Sequence, residues 1–210
     1  MSHHKPKCEC GATYVIGDPE NEAWHNQFHE EYSLGPDVSE VQSLRSIASK
    51  ESLRLVVVDN TVEESIRKAV AQVAVVAQRC MPDYKFGYYG VASDSEQRLY
   101  AFVDKTRIVG IVTTSLEKYL WRFAWTPESG FQPSETNRAP FSGPKVTRIW
   151  IAASYRRRGL AKWLIQEVGK HLKCDVQSLG WEMPLTESGK SLVKSVCAEE
   201  FLGCGNFRSS

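Results

Sequence analysis

The sequence predicts an α/β fold of mixed strand and helix, with a small metal-organised module in front of it. Three observations carry this. Short β-branched apolar runs alternate with stretches of helical periodicity. One apolar strand passes through a glycine-containing turn straight into an amphipathic helix. The first thirty-odd residues are polar yet hold two cysteines and two histidines at close spacing, as a segment would that folds around an ion. The chain has 210 residues, enough for one good core and an appendage.

Taken in order, residues 1–35 form the module and 36–210 the main domain, joined across the polar stretch Ser33–Ser39 with Gly35-Pro36 as its break. Leu53–Val58 is a buried strand. Asp59-Asn60-Thr61 supplies a helix start, with Glu63 and Glu64 in the first turn. Val62, Ile66, Ala69, Val70, Val73, Val76 and Ala77 then recur at three- and four-residue steps, and the helix ends near Met81-Pro82. Leu99–Val103 and Ile108–Thr113 flank a polar turn as a hairpin. Trp121, Phe123 and Trp125 alternate with other residues as a further strand, with core packing as their default role. Pro127–Pro144, with four prolines, is expected to be a long surface loop. Val146–Ala152 is the most strand-like stretch, followed by a helix with Leu160, Leu164, Val168 and Leu172 along one face. Trp181-Glu182-Met183 is ambiguous. Thr186 opens a last helix bearing Leu192, Val193 and Val196, and Phe201–Phe207 closes the sheet.

Bulk composition excludes more than it selects. Hydrophobic residues make up 42% and charged residues 24%, ordinary for a globular protein. Lys plus Arg total 26 against 25 acidic residues, so any attraction for nucleic acid has to be local. No run approaches the roughly 18 apolar residues of a membrane span, and the first residues lack the apolar stretch of a secretory signal. The cysteines stand at 8, 10, 80, 174, 197 and 204. The first two suit metal binding and the other four buried thiols, a pattern expected in a reducing, intracellular compartment.

Two patterns carry chemistry. In Arg148–Lys162 an apolar strand ends in a turn that begins a helix. At such a start several backbone N–H groups lack internal partners and the helix dipole favours negative charge. Gly159 lets an anion approach, Ala161 keeps the next turn thin, and Arg156, Arg157, Arg158 and Lys162 add positive charge. A pyrophosphate fits this description. In the second pattern, Cys8-x-Cys10 is followed by His25 and His29, four residues apart and so on one helix face. Two thiolates and two imidazoles make a tetrahedral set suited to Zn²⁺. The one-residue cysteine spacing is tight, which leaves His3 or His4 as alternatives to Cys8. One such finger is too little for sequence-specific DNA readout, and a scaffolding role is expected.

Arg156-x-x-Gly159-x-Ala161 resembles the acetyl-CoA pyrophosphate loop of the GNAT superfamily. Together with Cys10-Gly11-x-x-Tyr14, His25-x-x-Phe28-His29, Thr147-Arg148-Ile149-Trp150-Ile151 and Pro184-x-Thr186-Glu187-Ser188-Gly189-Lys190, it makes the chain similar to the cohesin-acetylating (establishment-of-cohesion) lysine acetyltransferases. The resemblance covers most of the chain and is weakest over Val41–Glu96. It implies an α/β fold of GNAT type, a mixed and mainly antiparallel central sheet flanked by helices, with a small N-terminal zinc finger. Backbone groups of Ile149, Trp150 and Ile151 would meet the pantetheine arm, Arg156 to Lys162 (Gly159, Leu160 and Ala161 included) the pyrophosphate, and Thr186, Glu187 and Ser188 the second cofactor segment. It also implies a nuclear enzyme using acetyl-CoA and Zn²⁺, with a cohesin ATPase-head subunit as its acceptor. Replication-factor or chromatin contacts would follow, with no membrane partner; the oligomeric state stays open, a homodimer included.

At the chemical centre the chain departs from the family pattern. Gln166 stands where an acidic residue is usual, with Glu167 beside it. An extra residue before Pro184 displaces the usual acidic or amide side chain, leaving Glu182 as the nearest carboxylate. Glu182 or Glu167 is the expected proton acceptor, with Thr147, in place of a serine, as relay. Two other readings compete: a GNAT that acetylates small amines or protein N-termini, and a catalytically degenerate acetyl-CoA-binding interaction module.

Overall fold

In a computed structural model, residues 8–79, 96–126, 130–133, 141–197 and 199–204 are described. Helix α1 spans Pro19–Leu34, its first turn capped by the Asp18 carboxylate, which accepts from the amides of Glu20 and Asn21. Strands β1 (Ser46–Lys50) and β2 (Leu53–Val58) form a hairpin, and α2 (Glu64–Arg79) follows. Strand β3 (Arg98–Asp104) turns into β4 (Arg107–Thr126), which also pairs with the short β5 (Gly130–Pro133). Strand β6 (Phe141–Ile151), α3 (Leu160–Leu172), β7 (Gly180–Glu182), α4 (Glu187–Val196) and β8 (Glu200–Cys204) complete the chain. The sheet runs β1-β2-β3-β4-β6-β7-β8. It is antiparallel except for β6–β7 and β7–β8, and β4 also reaches β8.

The burial pattern explains the layering. Leu99 to Val103 of β3 are buried at every position, so both faces of the sheet are covered there. Helix α3 lies over the face carrying Tyr100 and Phe102: Trp163 stacks on Phe102 with centroids 4.9 Å apart, and His171 meets the Tyr100 hydroxyl at 3.1 Å. Helix α1 packs against α2, and its Phe28 and Tyr32, with Cys10, join the same buried cluster as the sheet. The metal module thus shares the main core. No helix among the described residues is long and apolar enough to cross a membrane.

Several expectations change. Asp59 does not begin the helix. Its carboxylate accepts from the amide and hydroxyl of Thr61 in a separate turn, and α2 starts at Glu64. The expected end at Met81-Pro82 lies outside the described residues, as does Cys80. Trp121, Phe123 and Trp125 continue β4 rather than forming a new strand, because a register shift between Glu117 and Leu120 lets one strand bend through both stretches. The Pro127–Pro144 loop is strand at both Gly130–Pro133 and 141–144, its middle lying outside the described residues. Strand β1 was not foreseen: Ser46–Lys50 alternates half-buried and exposed positions at the sheet edge and has little apolar content to mark it.

Candidate active site and metal centre

The central strand β6 is flanked along its length by β4 but pairs with β7 only at Lys145 and Val146. From Thr147 onward the two parallel strands part. Thr147 is the residue that bulges. Thr114 pairs with Val146 and Thr113 with Arg148, so Thr147 is inserted between them, and a bulge beside a site re-aims the chain. Its hydroxyl lies 2.7 Å from that of Thr113 and 3.1 Å from the Thr113 carbonyl oxygen. The amide of Ala152 turns to Val109 O at 2.9 Å. By strand alternation the amides of Ile149 and Ile151 face the opposite, open edge. Ile149 and Ile151 are half-buried and Trp150 is buried.

Beyond β6 the chain makes a short 3₁₀ turn over Ala153–Tyr155, then passes through Arg157 (φ 61°) and Gly159 (φ 72°) into α3. Gly159 occupies the N-cap position without a side-chain cap, and the first amide to find a carbonyl is that of Trp163, on Gly159 O at 3.1 Å. The amides of residues 157–162 therefore have no hydrogen-bond partner among the described residues. Open space lies where a Cβ on Gly159 would stand. Arg157, Arg158 and Lys162 are exposed and form no ion pair among the described residues; Arg158 lies over the Tyr155 ring at 5.4 Å. A row of donors at a helix start, ringed by unspent cations, is an anion cradle. Leu160 is buried and Ala161 half-buried, so from these two the backbone is what an anion would meet.

Arg156 is placed otherwise than its run of arginines suggests. Its Nε donates to Ile151 O at 2.8 Å, its Nη1 to the Tyr32 hydroxyl at 3.0 Å, and its amide to Ala153 O at 3.2 Å. These contacts commit it to the strand end and α1, because the carbonyl and hydroxyl there lie within its reach.

The expected carboxylates are separated. Glu182 ends β7 where the strands part, 2.6 Å from Lys145 Nζ. Glu167, on α3, pairs with Lys170 one turn along at 2.7 Å. Around Glu182 the sheet register assembles residues that no sequence spacing marked. Lys145, nearly buried, also meets Glu117 at 3.0 Å, and the Cys204 thiol donates to Glu117 at 3.2 Å. Burial pushes the Glu117 carboxyl up, but hydrogen bonds from Lys145 and Cys204 outweigh it and hold the group at about 2. Burial of the Lys145 ammonium works against its charge, yet Glu182 and Glu117 keep it protonated far into the alkaline range. Burial and the contact with Glu117 push the Cys204 thiol up to about 11. In the second segment Thr186 caps α4, its hydroxyl accepting from the Gly189 amide at 3.1 Å, while Glu187 pairs with Lys190 and Ser188 is exposed. The Met183–Pro184 peptide just before it is cis.

At the other end of α1, the ligand atoms of Cys8, Cys10, His25 and His29 all lie within 4.8 Å of one another. Cys8 Sγ is 3.2 Å from His29 Nδ1, and Cys10 Sγ 3.7 Å from His25 Nε2. Ligands about 2.0–2.3 Å from a zinc ion at tetrahedral angles stand about 3.3–3.8 Å apart; these two contacts come within about 0.1 Å of that range, and two thiols with two imidazoles make a donor set suited to zinc. The tight cysteine spacing is accommodated by a turn in which Gly11 N donates to Cys8 O at 2.9 Å and Gly11 takes φ 85°. Tyr14 stacks on the His25 ring at 3.9 Å and fixes its plane. Cys8 stands in the fourth position; His3 and His4 lie outside the described residues.

A mainly antiparallel sheet parted at two parallel strands, with an amide cradle where the central strand runs into a helix, is a GNAT-like fold. No family model matches the sequence, and no curated protein matches it. Among solved structures, the fold is shared with the xEco2 acetyltransferase domain bound to a K105–CoA conjugate. That match has 20% identity and a TM-score of 0.63, covering 78% of this chain and 98% of that one. A second structure of the xEco2 acetyltransferase domain gives 18% identity and a TM-score of 0.64, covering 78% of this chain and 96% of that one.

Proposed function

We propose that this chain is a protein lysine N-acetyltransferase that moves acetyl from acetyl-CoA to lysine, with a cohesin ATPase-head subunit as acceptor and sister-chromatid cohesion in the nucleus as its setting. The observation that carries the acetyl-CoA part is the row of amides at 157–162, without partners among the described residues, beside the open edge of β6. The likeness in fold to a domain solved with a K105–CoA conjugate supports it. The choice of acceptor rests on the resemblance of the Thr147–Ile151, Thr186–Lys190 and Cys/His motifs to the cohesin acetyltransferases.

The residues divide the work as follows. Residues 157–162 hold the pyrophosphate, and the amides of Ile149 and Ile151 orient the arm along the open edge. An acceptor lysine, with a pKa of about 10.4, arrives mostly as ammonium. Glu117, Lys145 and Glu182 together carry one net negative charge where the strands part, which favours that cation. Glu182, the more exposed carboxylate, takes one ammonium proton and passes it to water, and the neutral amine nitrogen then bonds to the thioester carbonyl carbon. As the carbon–sulfur bond breaks, the second proton leaves nitrogen for the departing thiolate. Thr147, held by Thr113, sits beside this path, and donors of the open edge face the carbonyl oxygen as it gains charge. Cys8, Cys10, His25 and His29 hold Zn²⁺ as a structural ion.

One observation favours a second reading, a coenzyme A-binding interaction module without turnover: both sequence-predicted carboxylates are engaged in ion pairs. The test is mass spectrometry of the zinc-loaded protein with acetyl-CoA and, separately, a lysine-bearing cohesin head domain, polyamines and free N-terminal peptides. Acetyl-lysine on the head domain is expected. Acetylation of the small amines instead, or coenzyme A binding with no product, refutes the assignment.

A further inference from the structure

We infer that Arg156 is a positioning residue: it fastens the cradle turn to helix α1, so that the metal-bearing module sets the affinity for coenzyme A. This rests on residues 157–162 being the pyrophosphate site. The guanidinium bridges two elements. On one side Nε donates to the carbonyl of Ile151, the last residue of β6; on the other Nη1 donates to the Tyr32 hydroxyl while the group lies 4.9 Å from the centre of the Tyr32 ring. Tyr32 is buried in the last turn of α1, three residues beyond His29, with their rings 6.3 Å apart. His29 in turn faces Cys8. A continuous run of contacts thus leads from the metal ligands to the residue at which the cradle begins.

The cradle needs such a fastening. Arg157, directly after Arg156, holds φ at 61°, a left-handed conformation unfavourable for a residue that bears a side chain. The turn keeps that shape when its flanks are fixed. Arg156 supplies one restraint, and the Tyr155 hydroxyl, donating to Asp104 at 2.7 Å, supplies another. Order imposed on α1 by the metal therefore reaches the amides that meet the anion. By linkage, coenzyme A tightens metal binding by the same factor.

The experiment uses the full, zinc-loaded chain and coenzyme A in titration calorimetry. Tyr32→Phe removes one hydroxyl and keeps the ring, and is expected to weaken coenzyme A about three- to tenfold, the range of one ordinary net hydrogen bond. Arg156→Met is expected to weaken it at least as much, and the double variant no further than Arg156→Met alone. Acetyl-pantetheine, which lacks the pyrophosphate, is followed by NMR titration and should bind all variants alike; a general loss of structure would weaken it too and overturn the proposal. If Arg156→Met weakens coenzyme A while Tyr32→Phe leaves it unchanged, Arg156 meets the anion directly and the inference is wrong. If the wild type binds no coenzyme A, the reading of the site falls first and this inference with it. Zinc release to a chromogenic chelator should be slowed by coenzyme A in the wild type and not in Arg156→Met.

Discussion

Replacing Lys145 with methionine is expected to destabilise the protein at neutral pH and to matter progressively less on acidification. The ammonium lies 2.6 Å from Glu182 and 3.0 Å from Glu117 on a side chain 9% exposed. Methionine keeps an unbranched apolar stem, so the change removes chiefly one charge. Breaking a sealed ion pair leaves a stranded charge and costs about 3–5 kcal/mol. Here the Glu182 side chain is 44% exposed and that of Glu117 23%, so water takes up part of the loss, and about 2 kcal/mol is expected. For a chain of this size that lowers Tm by about 4–8 °C. The sign with pH follows from Glu117. Its folded carboxyl is held at about 2 against an ordinary 4.5. A depressed carboxyl contributes stability that is complete above its ordinary value and is lost as pH falls toward the folded one. In the variant most of that contribution is absent at every pH, so the stability curves of the two proteins should converge between pH 5 and 2. Urea unfolding followed by tryptophan fluorescence, at steps down from pH 7, gives both curves. Parallel curves across that window would refute the role given to these ion pairs.

Three further outcomes are expected. Cys10→Ser should abolish binding of one zinc ion per chain, seen by metal analysis, and chelation should reduce wild-type helicity by circular dichroism as α1 loosens; retention of the metal by the variant would exclude Cys10 as a ligand. Gly35→Ala should cost about 3 kcal/mol or more in urea unfolding, since a Cβ there would stand 2.2 Å from the Ile108 carbonyl oxygen on a backbone at φ 87°. The Cys204 thiol, raised from 9.0 to about 11, should alkylate about a hundredfold more slowly at pH 8 than a thiol of ordinary pKa, its rate rising up to pH 11, as read by peptide mass mapping; ready modification at pH 8 would count against the Glu117 contact.

What could be read from the sequence divides along a physical line. Local features were legible because their cause is local. The β3–β4 hairpin follows from two apolar runs around a polar turn, and α3 from its three- and four-residue apolar spacing. The amide cradle follows from an apolar strand entering a glycine turn with no N-cap side chain, and the Cys/His set from helical spacing. What escaped depends on register. Glu117, Lys145 and Cys204 lie on three strands, 28 and 59 residues apart in sequence, and meet because β6 pairs with β4 on one side and β7 joins β8 to β6 on the other. No spacing in the chain encodes that meeting. Arg156 shows that neighbours in space can divide a run of like charges. Four cations surround the turn in sequence, but the guanidinium of Arg156 reaches the Ile151 carbonyl and the hydroxyl of the buried Tyr32, contacts that its neighbours do not share. In the proposed reading the cradle is built from backbone, with Arg157, Arg158 and Lys162 left to supply its charge. The side chain that opens the motif serves instead to hold the turn against the helix that carries the metal ligands.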